Sequence, residues 1–368
     1  MTKFCVFCGE KPISKNKEHI IPKWLIRMTG DPNRELNLGI DFNHLLDQND
    51  VKRRKFSWIN FQFPACEDCN SEFAAMESRV NQYFLRIFDK DYFNKYEIDD
   101  LLDWFDKVRI GLWLGSIMLD KNVDLVEPKF HIKKRMAHRD RCLFIYELKD
   151  SNWKGIQFIG FNSPGFQFVP STFALRVNNI YFFNYSFDFL FAKNIGFPYP
   201  IVFANSDTEH RGTVVEFAKG LEKINTPLIN FKFLKAATYL YQPIIPKEIL
   251  NTEIESEFYM IDYVRNNLLD KKGKKGDIFF HDKGIKRLED DVEIQLYSGL
   301  QNLDLTTFPD KIAEQTLSIQ ELLLKIKPQD HLLPKERKEI LNQNRLAILH
   351  RHKMFIKVGK IIAEKNKV

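Results

Sequence analysis

Two cysteine pairs constrain this chain more than any other feature of it. Cys5-x-x-Cys8 lies near the start, and Cys66-x-x-Cys69 follows after residues 9–65. Each pair sits on a tight knuckle, with Gly9 directly behind the first. Four thiolates brought together form a tetrahedral set that suits Zn²⁺. A site closed by four sulfurs leaves no open position for substrate, so its metal is structural and folds the segment around it. In a reducing compartment such pairs are metal knuckles or redox pairs rather than disulfides. The redox reading lacks a strand-to-helix setting around the first pair. The fifth cysteine, Cys142, opens an apolar strand pattern and reads as a small buried hydrophobe.

The 368 residues suffice for one large domain or two to three ordinary ones. The 33 phenylalanines against seven methionines promise a packed aromatic interior. A net charge of +6 is compatible with a polyanion partner without requiring one. The apolar run 181–204 is broken by Asn184, Asp188, Lys193, Asn194 and Pro198, so no membrane span is expected. MTKFCVFCGE has no apolar leader core, which makes a cytoplasmic protein the expectation.

Periodicity divides the rest. From Asn70, the residues Phe73, Ala74, Glu77, Val80, Phe84 and Phe88 recur at helical spacing. A second helix is expected over 99–119, capped by Asp99 or Asp100, with Leu101, Phe105, Val108 and Leu112 on one side. CLFIYEL, GIQFIGF and YFFNYSFDFLF alternate as strands, the last apolar enough on both faces to be covered on both sides. The segment 335–368 reads as a long helix in which Lys and Arg far outnumber Glu. It presents a solvated face over a stripe of Leu341, Ile348, Phe355 and Ile362, with phosphate contact the rival reading. His350 and His352 lie two apart and do not share a helix face. The expected fold class is α+β, with a zinc-stabilised module over 1–90, a mixed helix and sheet domain over 91–250 and a mostly helical region over 251–368.

Between the cysteine pairs runs KNKEHIIPKWL, residues 15–25. A Glu-His dyad entering an apolar stretch is costly unless something uses it. CVFC, then EHIIPKWL, then CEDCN with a helix behind it resembles the HNH endonucleases, the zinc-bearing branch of the ββα-metal nucleases. The resemblance covers about the first 80 residues. It implies that Cys5, Cys8, Cys66 and Cys69 hold zinc. It implies that His19 is the general base, and that Glu18 and Asn70 bind a catalytic Mg²⁺ or Mn²⁺, with Glu77, two turns further on, able to add a carboxylate. Asn60 is the nearest candidate for the asparagine that orients the base. Hydrolysis of a phosphodiester needs a water deprotonated in line with the leaving oxygen and a cation at the phosphate, and a near-neutral histidine serves the first need.

Lys23, Arg27 and the run Lys52-Arg53-Arg54-Lys55 are the candidate phosphate contacts, although a solvated loop explains that run equally well. The implied activity is metal-dependent cleavage of DNA, in a setting of restriction or anti-phage defence. The remaining chain would recognise a target, bind a gating protein partner or form a homo-oligomer. Two rivals stand beside this reading: a non-catalytic zinc module that binds nucleic acid or protein, and an RNA-cleaving toxin with the same site.

Overall fold

The computed structural model describes residues 4–13, 16–31, 36–40, 53–56, 61–119, 132–148, 152–187, 189, 192, 195–205, 212–218, 238–245, 261–269, 275–281, 284–297, 307–325 and 334–365. Strand β1 (Asn16–His19) leads through helix α1 (Lys23–Met28) and the paired strands β2 (Leu36–Ile40) and β3 (Arg53–Phe56) to β4 (Gln62–Ala65). Helix α2 (Glu67–Phe88), the short strand β5 (Tyr92–Phe93) and helix α3 (Lys95–Leu119) follow. β1 and β4 pair antiparallel, with Glu18 opposite Phe63 and His19 opposite Gln62. The N-terminal segment is therefore a two-stranded hairpin with an insertion at its open end, followed by a helix.

α2 begins three residues earlier than the apolar period suggests. Cys66 is its N-cap, and the thiol accepts from Cys69 N–H at 3.4 Å. Glu67 and Asp68 then complement the positive end of the helix. α3 also starts early. Asn94 Oδ1 accepts from the N–H groups of Tyr96 and Glu97, and the Glu97 carboxylate accepts from Asn94 N–H. This reciprocal box satisfies the free donors of the first turn. Asp99 and Asp100, expected as caps, lie inside the helix and make ion pairs instead.

The body is built from β6 (Arg141–Glu147), β7 (Ile156–Ile159), the short helix α4 (Pro164–Phe168), β8 (Thr172–Val177), β9 (Ile180–Ser186), the hairpin β10 (Tyr199–Asn205) and β11 (Gly212–Ala218), and β12 (Thr238–Gln242). After helix α5 (Ile261–Asn267) come β13 (Phe279–His281), β14 (Ile285–Arg287) and β15 (Ile294–Gln295), then helices α6 (Phe308–Lys325) and α7 (Lys335–Lys365). Seven strands form one sheet in the order β14-β13-β12-β6-β9-β8-β7, and every neighbouring pair is antiparallel. Every residue of β6, β8 and β9 is buried, which fits a sheet covered on both faces.

One face of the sheet packs against α2 and α3. The Phe182 ring lies 5.1 Å from Phe84 and 5.5 Å from Phe105. On the other face Phe308 of α6 meets Tyr146 and Tyr181 at 5.5 and 5.3 Å. The cysteine-bearing segment shares the first of these cores: Cys5, Ile20, Phe63 and Phe73 belong to the same buried cluster as Phe105, Phe182 and Leu240. Among the described residues, the segment before residue 90 has no core of its own. The seven-stranded sheet crosses the boundary expected at 250, because β12 pairs with β13, and the separate β5–β15 pair crosses it too. Mixed helix and strand in one chain is the α+β class expected.

In α7 the stripe of Leu341, Ile348 and Phe355 is only half buried, and Ile362 has no described side chain. The residue that enters the core is His352, whose ring accepts from Gly165 N–H at 3.2 Å and meets Leu317 O at 3.0 Å. Burial lowers its pKa. Cys142 is buried, as an apolar strand position requires. No helix among the described residues is long and apolar enough to cross a membrane.

Candidate functional site

The first knuckle is a turn over residues 6–8, closed by Gly9 N–H to Cys5 O at 2.9 Å and Cys5 N–H to Glu10 O at 2.8 Å. Gly9 takes φ 89°, a left-handed conformation that glycine adopts without strain. Val6 N–H donates to Pro64 O at 3.0 Å, which ties this turn to β4. β4 runs directly into Cys66 and α2, so the hairpin carries one pair to the other. Ile132 and Lys133 donate to the carbonyls of Val6 and Phe7, both at 3.0 Å, and brace the turn from behind.

The four sulfurs of Cys5, Cys8, Cys66 and Cys69 lie within 4.8 Å of one another, and Cys8 Sγ is 3.7 Å from Cys66 Sγ. A zinc–sulfur distance of ~2.3 Å in a tetrahedron separates sulfurs by roughly 3.8 Å. The cluster is therefore of the size a tetrahedral metal ion needs, and four thiols form a set such as zinc takes. Backbone N–H groups point at the sulfurs: Glu10 N–H to Cys8 and Cys69 N–H to Cys66, both at 3.4 Å. Such bonds orient metal thiolates. Burial pushes the Cys5 thiol up, and hydrogen bonds from the backbone of Cys8, Cys66 and Phe7 outweigh it and bring it down to about 7. Burial raises Cys8 and, with the neighbouring sulfurs, Cys69, against a smaller pull from the Lys133 ammonium. A cation held at the centre of the cluster would stabilise the thiolates that burial and the neighbouring sulfurs disfavour.

The other end of the hairpin holds a different group. Glu18 is buried on β1, while His19, next along the strand, is half exposed. Adjacent strand residues face opposite ways, so the dyad divides into an inward carboxylate and an outward-leaning imidazole. Asn70, Phe73 and Glu77 share one face of α2, at spacings of three and seven. Glu18 and Glu77, both candidate ligands of a catalytic ion on the resemblance, come together, but they meet on Lys107 of α3. Its ammonium lies 2.6 Å from Glu18 Oε1, 2.5 Å from Glu77 Oε1 and 3.3 Å from His19 O. The Lys107 side chain is wholly buried, and the Phe73 ring lies 4.9 Å from its nitrogen. Burial pushes the Glu77 carboxyl up to about 7; Lys107 opposes that and Glu18 adds to it.

α3 is shaped to bring Lys107 there. A methyl at Gly111 would stand 2.5 Å from Ile20, and one at Gly115 would stand 1.8 Å from Phe61. Ile20 and Phe61 are the residues just beyond the His19–Gln62 pair, joined by Ile20 N–H to Phe61 O at 3.2 Å. Two glycines one turn apart thus seat the open end of the hairpin on α3, with Lys107 one turn before them.

A catalytic divalent ion at Glu18 and Glu77 does not fit this arrangement. The pair already holds a cation at hydrogen-bond distance, and a dication beside a buried ammonium is strongly repelled. Sequence reasoning placed both carboxylates and missed Lys107. Its signal is the run WFDKVRIGLWLG, where Asp106, Lys107 and Arg109 interrupt a stretch buried on every side.

Asn70 is half buried in the first turn of α2. Lys23 and Arg27 are exposed on α1, directly after the dyad and Pro22. Arg53, Arg54 and Lys55 form β3. Lys52 and Asn60 lie outside the described residues, as do the side chains of β3. Comparisons with family models, curated proteins and solved structures found no match to this chain.

Proposed function

We propose that residues 4–88 form a zinc-braced nuclease centre that hydrolyses DNA phosphodiesters, with His19 as general base. The single observation that carries this reading is the placement of His19. It is half exposed at the end of a hairpin whose other end is closed by four cysteines, and the chain passes from that hairpin directly into a helix. Zinc in the cysteine cage fixes the hairpin and takes no part in the reaction. His19 removes a proton from water, the oxygen attacks phosphorus, and the P–O3′ bond breaks with its electrons going to the 3′ oxygen. Lys107 fixes the end of β1 by holding Glu18 and the His19 carbonyl, which keeps the imidazole from wandering. Lys23 and Arg27, exposed on the helix that follows, serve as phosphate contacts.

A second reading rests on Lys107 itself. A carboxylate pair satisfied by a lysine suits a module that has kept the zinc frame without the chemistry and binds nucleic acid or protein. One experiment separates the two. Zinc-loaded protein, incubated with supercoiled plasmid and Mg²⁺ or Mn²⁺, is expected to nick it, and His19→Ala to abolish nicking while zinc content and melting temperature stay unchanged. Equal nicking by both proteins would remove His19 from the reaction. Parallel digestion of RNA tells a DNase from an RNA-cleaving toxin.

A further inference from the structure

The Glu18–Lys107–Glu77 cluster does more than fail to fit a dication. We propose that Lys107 is the resident cation of this carboxylate pair, an internal replacement that bars divalent metal from the position the hairpin would otherwise offer it. Three observations carry this. Both carboxylates direct an oxygen at one nitrogen, at 2.6 and 2.5 Å. The Lys107 side chain has no exposure, and those of Glu18 and Glu77 have 9% and 13%, so hydrated metal has no free approach. The helix that supplies Lys107 is held against the hairpin by Gly111 and Gly115, so withdrawal of the ammonium requires the α3 seat to open.

Mg²⁺ and Mn²⁺ give up their water reluctantly and are held by carboxylate oxygens and retained waters. A pocket filled by an ammonium on an aromatic ring supplies neither the space nor the net charge. Removal of the lysine headgroup, with its length retained, supplies both. The proposal leaves the role of His19 untouched but removes Glu18 and Glu77 as ligands of a catalytic ion, so Mn²⁺ binding at the pair and nicking through His19 are read by separate experiments.

The test is Mn²⁺ binding to the zinc-loaded full chain, followed by the loss of the free-ion electron paramagnetic resonance signal. Wild type is expected to show no site that Glu18→Gln removes. Lys107→Met is expected to bind one Mn²⁺ roughly ten-fold or more tightly than any site in wild type, and Glu77→Gln in the same chain to abolish that gain. Equal binding by wild type and Lys107→Met, both folded by circular dichroism, would overturn the proposal. So would a wild-type Mn²⁺ site lost in Glu18→Gln, a result that needs no lysine variant to fold.

Discussion

The two ends of the β1–β4 hairpin make an informative comparison. Both gather electron-rich side chains from β1 or its approach and from α2. At the closed end four cysteines meet at the size a metal ion needs. At the open end two carboxylates meet on Lys107. The same local fold thus makes one pocket whose ligand set suits an external ion and one that already holds a cation of the chain. The difference lies in α3 and not in the hairpin. Lys133 approaches the sulfurs only closely enough to lower Cys69, and its ammonium is bonded to Glu72, whereas Lys107 inserts fully between the carboxylates. Which cation a site holds is set by whether a neighbouring element delivers one.

The comparison is broken most forcefully at the closed end. If the cage depends on an external ion, removing a ligand should unravel the first knuckle and the start of α2, which share one core with the sheet. Structural zinc in small peptides contributes ~10 kcal/mol or more; here the shared core retains part of that. Cys8→Ser is expected to lose stoichiometric zinc, measured by atomic emission, and to lower the melting temperature by at least about 5 °C. Full stability without zinc would mean that the sulfurs are held together by packing alone.

Much of this contrast was legible in the sequence, and the rest was hidden for physical reasons. The cysteine pairs announce a site because a thiol cluster has few other uses, and the resemblance offered Glu18 and, two turns beyond Asn70, Glu77 as carboxylates, without fixing that they meet. Lys107 was not found, because a lysine in an apolar helix usually runs its stem along the surface with its charge in water. The start of α2 was missed because a cysteine serves as its cap, and that of α3 because Asn94 and Glu97 precede the apolar period. The sheet crosses residue 250 because β13 and β14, three residues each, are too short to alternate visibly. Lys275, in the lysine-rich run DKKGKKGD, joins Asp99 and Asp103 at 2.8 and 2.5 Å in a cluster with the buried Arg141.

At the open end, the internal neutralisation is incomplete, and that has a sign. Two carboxylates face one ammonium, so full ionisation leaves one excess negative charge. Burial raises Glu77 from 4.5 to about 7. A carboxyl with a raised folded pKa keeps its proton longer folded than unfolded, so stability falls as pH climbs from about 4.5 to about 7 and is level above that. The loss is on the order of 3 kcal/mol at most. Glu77→Gln keeps a hydrogen-bonding side chain without the charge. The urea midpoint of the variant, compared with wild type between pH 5 and 7.5, is expected to gain steadily as pH rises. A constant difference would mean that folding does not raise the Glu77 carboxyl.

The smallest effect tests how the two ends are joined. Alanine is better than glycine inside a helix by roughly 1 kcal/mol. Gly359 on α7 has open space around its missing methyl, so Gly359→Ala is expected to stabilise. Gly115→Ala carries the same propensity gain, but its methyl would stand 1.8 Å from the Phe61 ring in a filled core. Overpacking of that kind costs about 1–3 kcal/mol, so the net change is expected to be destabilising by ~1 kcal/mol. Phe61→Leu should relieve the clash, and a double-mutant cycle in urea should return a favourable coupling between the two positions. If Gly115→Ala is as benign as Gly359→Ala, α3 does not grip the hairpin there, and the delivery of Lys107 to its carboxylates must be explained by the ion pairs alone.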